Sequence, residues 1–319
     1  MTERLFVIGG GGFVGSRVLR AAVGQGIACA SFGPAGRDLA AGQAIARFTG
    51  DAEESGALAA ALASFRPDAV VWAAGYNPTG DGLARTAEAD VARAVAVNAG
   101  AFAATLAACR QAGVARVVQC GSTVVFGPAA DYATTRVDEA APPAPRTAYG
   151  LTKLMAEQAG HWAVDALGLD VVTLRLPLVF GPGRWYAGAA GAYARMLRAT
   201  VDGTELREDV SPVPFDVVHG DDAAVAILML AARRGPPRVL NMAGLTTSLP
   251  EIAAALSPKL RAVAVPAPAA FPLVDDGALR ALGWAPQRGL ADILNDTLAE
   301  MKRADAPRAQ APAGLDRPA

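Results

Sequence analysis

The feature that most limits what this chain can fold into lies at its start. Leu5-Phe6-Val7-Ile8 is an unbroken apolar run, followed at once by Gly9-Gly10-Gly11-Gly12-Phe13-Val14-Gly15. A run without polar alternation reads as a strand buried on both faces of a parallel sheet. The pattern from Ser16 to Gln25 reads as a helix. Strand, Gly-rich turn and helix in that order aim backbone N–H groups of the helix N-terminus at a pyrophosphate. The glycines stand at 9, 12 and 15, three apart, instead of in the G-x-G-x-x-G spacing. A plain Gly-rich turn is the alternative, and the strand–turn–helix context weighs against it.

The next segments repeat the alternation. Ile27 to Phe32 reads as a second strand, and its end is where an NAD-binding chain places an acid for the adenine-ribose diol. Gly33 holds that place here, and the next charges are Arg37 and Asp38. Without the acid a 2′-phosphate is not repelled, and Arg37 can pair with one, which favours NADP over NAD; a solvated loop arginine is the other reading. Ile45 to Phe48 reads as a third strand ending near Gly50-Asp51-Ala52, where Asp51 is placed to accept from an adenine amine. A helix from Gly56 to Phe65 leads to the strand Ala69 to Trp72 and the turn Ala73-Ala74-Gly75, whose small side chains admit a cofactor closely. Tyr76 and Asn77 begin a loop able to meet a substrate. A long helix then carries Val91, Val95, Asn98, Phe102, Leu106 and Cys109 at intervals of three and four. Asn98 among apolar positions needs partners, either inside the core or at the active site. Arg116 to Cys120 is a further buried strand ending in Gly121-Ser122-Thr123.

Tyr149-Gly150-Leu151-Thr152-Lys153 opens an amphipathic run to Leu167, just after Pro142-Pro143-Ala144-Pro145. On a helix Tyr149 and Lys153 share one face, one turn apart. An ammonium beside a phenol favours the phenolate, which makes a proton shuttle for an alcohol or carbonyl. An amphipathic surface helix is the plain alternative. Arginine does nearly all the cationic work in this chain, however: its only lysines are Lys153, Lys259 and Lys302. A lysine at 153 suits a compact ammonium that also reaches a ribose hydroxyl. In an open parallel sheet, ligands sit beyond the carboxyl ends of the strands. That edge collects the Gly turn, Ala73-Ala74, Ser122 and the start of the Tyr149 helix.

Length and composition exclude several other classes. A chain of 319 residues with net charge −1 has ample core and no basic field for nucleic acid or an anionic membrane. Apolar residues make up 52%, but the longest apolar runs fall well short of the ~20 residues of a bilayer span. The N-terminus lacks a cleavage-type ending, so a signal peptide is not expected. Cys29, Cys109 and Cys120 form no CxxC pair, which fits buried thiols in a reduced, cytoplasmic enzyme. His161 and His219 stand too far apart in sequence to suggest a metal site, and both read as structural.

Taken together these residues resemble the extended short-chain dehydrogenase/reductase family, which includes the NAD-dependent sugar epimerases and dehydratases. The matching pieces run in the family's order: the Gly9–Gly15 turn, Gly50-Asp51, Ala73-Ala74, Val97-Asn98 with Gly100, and Ser122 with Val125-Phe126-Gly127. Tyr149 to Lys153, Arg175-Leu176-Pro177, Val179-Phe180-Gly181-Pro182 and Val218-His219-Gly220-Asp221-Asp222 follow, then Leu282-Gly283-Trp284 with Pro286 and Gly289-Leu290. The resemblance covers roughly residues 3 to 300 and is far more specific for fold and cofactor class than for substrate. It implies an α/β, Rossmann-type doubly wound parallel sheet with a smaller C-terminal substrate-binding lobe. Residues 1–182, with 215–240 returning, would bind NAD(P); 183–214 and 241–302 would form the lobe. The tail 303–319 reads as disordered.

The resemblance also implies roles. Tyr149 would exchange the proton, Lys153 would assist it and hold the nicotinamide ribose, and Ser122 would orient the substrate oxygen. Gly9, Gly12, Phe13, Val14, Gly15, Asp51, Ala52, Ala73, Ala74, Asn98, Pro177 and Val179 would line the cofactor. Tyr76, Asn77, Thr123, Arg184 and Tyr186 are the further substrate candidates. For Arg184 a surface pairing with the Glu205–Asp209 segment is equally open, and Trp185 and Tyr186 either stack on a sugar or fill the lobe. Helices 85–112 and 149–167 correspond to those forming a homodimer. Thr123 and Val124 stand where dehydratases carry an Asp-Glu pair, which argues against 4,6-dehydration. Leu178 replaces an Asn that touches the diphosphate of nucleotide sugars, which argues for a smaller substrate. The expected activity is alcohol–ketone interconversion on a sugar, sugar acid or lactone, with an epimerase or a non-catalytic redox sensor as alternatives.

Overall fold

Short apolar strands with no polar face have to be covered on both sides, and the computed structural model shows how. It describes residues 2–35, 44–78, 80, 82–183, 191–235, 237–266 and 270–305. In chain order the first half contains β1 (Arg4–Ile8), α1 (Phe13–Gly24), β2 (Ala28–Gly33), β3 (Ile45–Thr49), α2 (Ser55–Phe65), β4 (Ala69–Trp72), α3 (Leu83–Ala89), α4 (Val91–Val95), α5 (Ala101–Gln111) and β5 (Arg116–Ser122). The second half contains β6 (Arg136–Val137), α6 (Ala148–Leu167), β7 (Val171–Leu176), β8 (Leu178–Phe180), α7 (Gly191–Asp202), β9 (Leu206–Val210), β10 (Phe215–His219), α8 (Gly220–Ala232) and β11 (Val239–Asn241). It closes with β12 (Leu245–Thr247), α9 (Leu249–Leu256), β13 (Leu260–Ala264), β14 (Leu273–Val274), α10 (Gly277–Ala281) and α11 (Leu290–Asp305).

Seven of these strands form one parallel sheet in the order β3-β2-β1-β4-β5-β7-β11. Alternation within β1 explains the two layers: Leu5 and Val7 pack with Val18, Leu19 and Ile227 on the face of α1 and α8. Phe6 and Ile8 pack with Leu58, Leu62, Phe102 and Ala156 on the face of α2, α5 and α6. Each such buried side chain contributes roughly 1.5–3 kcal/mol over its exposed state. This is the doubly wound α/β arrangement that the buried apolar runs require. The register aligns the strand ends: Ile8 lies beside Phe32 and Trp72, and Ser122 beside Leu176. Gly9, Ala73, the Thr123 turn and Pro177 thereby leave the sheet at one edge.

A second core gathers Phe180, Tyr193, Met196, Val210, Val217, Ile252, Ile293 and Met301 from β8, α7, β9, β10, α9 and α11. The strand β10 pairs with β8 and β12, apart from the main sheet, whereas α8 and β11 join the main sheet's layers.

Three boundaries differ from the sequence expectation. The first helix begins at Phe13, not Ser16, because Gly12 caps it and Phe13 and Val14 form its first turn. The long helix breaks at Asp90, whose extended backbone (φ −145°, ψ 82°) and carboxylate cap the Arg93 amide. From Val91 to Gln111 the chain is helical throughout and apolar enough to span a membrane by length and composition. Here it packs as a core helix, with Phe102, Leu106 and Cys109 buried under α2 and α6. Finally, α11 runs through Arg303 to Asp305, where Arg198 pairs with the Asp305 carboxylate; those three residues do not belong to a disordered tail.

Candidate active site

The Gly-rich turn is built for close approach. Gly9 has φ +83°, and a Cβ there would stand 2.6 Å from the Ala74 nitrogen, so only glycine lets this turn touch the Ala73-Ala74 turn. The Gly12 amide donates to the Gly9 carbonyl at 2.9 Å and tightens the turn. No side chain caps α1, and its first turn carries no acid. The first-turn amides of Phe13, Val14 and Gly15 thus head a helix whose positive end suits a pyrophosphate. These residues fit a dinucleotide. Asp51 is exposed just past β3, its carboxylate accepting from the Glu53 amide at 3.3 Å, and Ala52 is half-buried beside it. Arg37 lies outside the described residues.

The catalytic candidates meet at the other half of the edge. Thr147 caps α6 by accepting from the Gly150 amide at 3.0 Å, after the Pro-rich loop has delivered the chain. Gly150 is pressed against the turn following β5: a Cβ would stand 2.4 Å from the Val124 carbonyl oxygen. This contact brings the first turn of α6 against the Ser122–Val125 segment. Lys153 is 5% exposed, and its Nζ donates to the Cys120 carbonyl at 2.9 Å and lies 5.6 Å from the Tyr149 ring centre. Tyr149 is half-buried, and its hydroxyl meets no partner among the described residues. Ser122 is buried with its Oγ accepting from the Val124 amide at 3.4 Å, and Thr123 is half-buried. A fixed ammonium, an unengaged phenol and a serine hydroxyl thus sit on neighbouring turns.

Pro177 is half-buried and Val179 buried on the segment following β7, while Leu178 between them is 42% exposed. Tyr76 and Asn77 are half-buried beyond β4. Arg184 and Tyr186, with Trp185, lie outside the described residues. Tyr193 is fully buried, stacked on Phe180 at 4.3 Å, and so fills the second core. Arg195 pairs with Glu208 at 2.5 Å in the segment considered for Arg184.

Asn98 finds its partners inside the protein, between the loop after β4 and α6. It is 1% exposed; its Oδ1 accepts from the Tyr76 amide at 2.7 Å and its Nδ2 donates to Thr152 Oγ1 at 3.0 Å. Sequence reasoning missed Thr152, Thr86 and the buried Glu157–Arg175 pair. The one signal was spacing, since Glu157 follows Lys153 by four residues and shares its face.

The three cysteines are free and buried, with the thiols of Cys29 pushed up to about 11 and of Cys109 and Cys120 to about 12 by burial. Lys153 partly opposes that shift at Cys120.

A profile of the NAD dependent epimerase/dehydratase family matches residues 5–243. The chain belongs to that family. Members of the family are enzymes, so a sensor without chemistry is set aside, and binding of NAD(P) follows. Among curated relatives, the UDP-glucose 4-epimerase of Azospirillum brasilense is 33% identical over 176 residues, 54% of this chain and 48% of that protein. The chain's match therefore spans about half the length of that relative. The dTDP-6-deoxy-L-talose 4-dehydrogenase (NAD(P)(+)) of Kitasatospora kifunensis is 33% identical over 249 residues, 75% of this chain and 73% of that protein. In fold the chain is similar to the UDP-glucose 4-epimerase of Thermus thermophilus solved with NAD. The TM-score is 0.78 at 23% identity, over 94% of this chain and 99% of that one.

Proposed function

We propose that this epimerase/dehydratase-family enzyme interconverts a secondary alcohol and a ketone on a small polyhydroxylated molecule, a sugar, sugar acid or lactone. The observation that carries the reading is Lys153, anchored on the Cys120 carbonyl, with its Nζ 5.6 Å from the ring centre of Tyr149 one turn away. When bound, a nicotinamide coenzyme supplies the acceptor or donor of a hydride. Gly9, Gly12 and the first-turn amides of Phe13, Val14 and Gly15 would hold its pyrophosphate, with Asp51 and Ala52 toward the adenine. Ala73, Ala74, Pro177 and Val179 would flank its other end. Tyr149 takes or returns the proton at the substrate oxygen, and Lys153 steadies the phenolate so formed. Ser122 donates to the same oxygen and orients it. Tyr76, Asn77, Thr123, Arg184 and Tyr186 would contact the rest of the substrate.

The exposed Leu178 supports a substrate smaller than a nucleotide sugar, because an apolar side chain offers a diphosphate no donor. The second reading, an NAD-dependent sugar or nucleotide-sugar epimerase using the same residues, draws support from the UDP-glucose 4-epimerase relative. NADP is favoured over NAD because Gly33 stands where an acid would exclude a 2′-phosphate. Free buried thiols fit a cytoplasmic setting. A homodimer through α4 and α6 would cover Val91, Leu151, Met155 and Trp162, all exposed apolar side chains.

The test begins with mass spectrometry of ligand retained by the purified protein. D-Galactose, D-glucuronate, D-galactono-1,4-lactone and UDP-glucose are then offered with NAD+ and NADP+. Stoichiometric NAD(P)H formation on an unlinked sugar supports the dehydrogenase. Tightly retained NAD with conversion of UDP-glucose to its epimer, and no net reduction, supports the epimerase and ends the first reading.

A further inference from the structure

The loop that would face the substrate and the helix that carries the proton donor are joined by an unbroken internal chain of hydrogen bonds. The Tyr76 peptide is gripped at both ends: its amide donates to Asn98 Oδ1 at 2.7 Å, and its carbonyl accepts from Thr86 Oγ1 at 3.0 Å. The Thr86 hydroxyl also lies 3.0 Å from the Gly82 carbonyl, which accepts the Thr86 amide too, and 3.2 Å from the Leu83 carbonyl of its own helix. The Tyr76 carbonyl is the acceptor outside that helix turn, so this branch ties the loop to α3. From Asn98 the chain continues through Nδ2 to Thr152 Oγ1 at 3.0 Å, and from that hydroxyl to the Tyr149 carbonyl at 2.8 Å. The donor-to-acceptor directions agree along the path.

Placement makes the chain stiff. Asn98, Thr152 and Thr86 are 1%, 0% and 7% exposed, so water does not compete for these groups. Asn98 lies in a single π-turn, Ala96–Gly100, which packs against α6 and buries it between the Tyr76 amide and Thr152. Such turns inside helices are commonly found at functional sites. A second tie runs parallel, with Glu88 Oε1 accepting from the Ala148 amide at 2.6 Å. Tyr76 itself is half-buried, and its hydroxyl has no partner among the described residues.

Resting on the reading of Tyr149 as proton carrier, we propose that Thr86 and Thr152 are positioning residues for the reaction. Through Asn98 they hold Tyr76 at a fixed distance from Tyr149, so that the substrate contact and the proton-transferring hydroxyl keep one register. Neither threonine touches substrate; each acts through Tyr76 or Tyr149.

The test uses the full chain loaded with NAD+. Hydrogen–deuterium exchange of the segment 73–78 is compared for wild type, Thr152→Val, Thr152→Ser, Thr86→Val and Thr86→Ser. Valine keeps the shape and removes the hydroxyl; serine keeps the hydroxyl. Thr152→Val is expected to speed exchange in that segment although it lies on another helix, and serine to restore it. Thr86→Val is expected to do the same, and for whichever of D-galactose and UDP-glucose is oxidised, to raise KM roughly tenfold with kcat little changed. Unchanged exchange at 73–78 in both valine variants overturns the bridge, whatever the fate of catalysis. Tyr149→Phe separates the two claims: it should silence turnover while leaving this exchange as in wild type. A fully active Tyr149→Phe defeats the catalytic reading and leaves the bridge to stand on exchange alone.

Discussion

Glu157 on α6 and Arg175 on β7 form a two-pronged ion pair at 2.8 and 2.6 Å, with both side chains 2% exposed. Arg175 also lies over the Phe126 ring at 4.9 Å, and its NH1 reaches Asn241 Oδ1 at 3.5 Å. Because Glu157 stands one turn beyond Lys153, this pair fixes α6 to the sheet.

Removing one partner of such a pair leaves the other charge buried and uncompensated. Arg175→Met is therefore expected to cost about 3–5 kcal/mol of stability, read from urea unfolding. The double variant Glu157→Leu with Arg175→Met should recover most of that loss, since no charge is then stranded. Equal stability of single and double variants would mean that the geometry overstates the coupling.

Burial holds the His219 imidazole below its usual 6.5, with Asp221 opposing and Arg288 and Arg17 reinforcing the shift. Its Nδ1 accepts from the Asp221 amide at 3.1 Å, and Asp296 lies 3.5 Å from Nε2. A histidine kept neutral by folding binds fewer protons than in the unfolded chain. Its contribution is thus complete above pH 6.5 and is lost as pH falls below it. His219→Asn keeps an acceptor at the helix cap. Its stability should decline less than that of wild type between about pH 6.5 and 5.5, above the range of ordinary carboxylates. Parallel declines in chemical denaturation would contradict the assignment.

Arg37→Ala tests the coenzyme preference. Loss of a charged partner for a 2′-phosphate should raise KM for NADPH roughly ten- to a hundredfold and leave NADH nearly unaffected. Equal effects on both would end the case for NADP.

On α6, Leu151, Met155 and Trp162 share one exposed face, and Trp162 is 53% exposed. If that face meets its copy, wild type should sediment at twice the 32.4 kDa chain mass and Trp162→Arg at once that mass. An unaltered mass in the variant would place any interface elsewhere.

The parallel sheet was legible because strands buried on both faces leave continuous apolar runs, and Ala69–Trp72 was delimited by them to the residue. That Tyr149 and Lys153 share one helix face was legible because residues four apart on a helix stack one turn apart. What escaped notice were pairings between distant residues. Nothing local to Thr152 says that Asn98, 54 residues away, donates to it. Arg175 is legible only as part of the Arg175-Leu176-Pro177 piece and Glu157 carries no signal of its own, so their pairing emerges only when the fold brings them together. The break at Asp90 left a cue in the sequence, an aspartate before an apolar run, which the 85–112 span implied by the resemblance overrode.

If the Tyr149 hydroxyl carries the proton, single-turnover hydride transfer in Tyr149→Phe is where its loss registers. The rate should fall by roughly two to four orders of magnitude, with NAD(P) affinity within about twofold of wild type. A variant that transfers hydride at the wild-type rate would contradict that role.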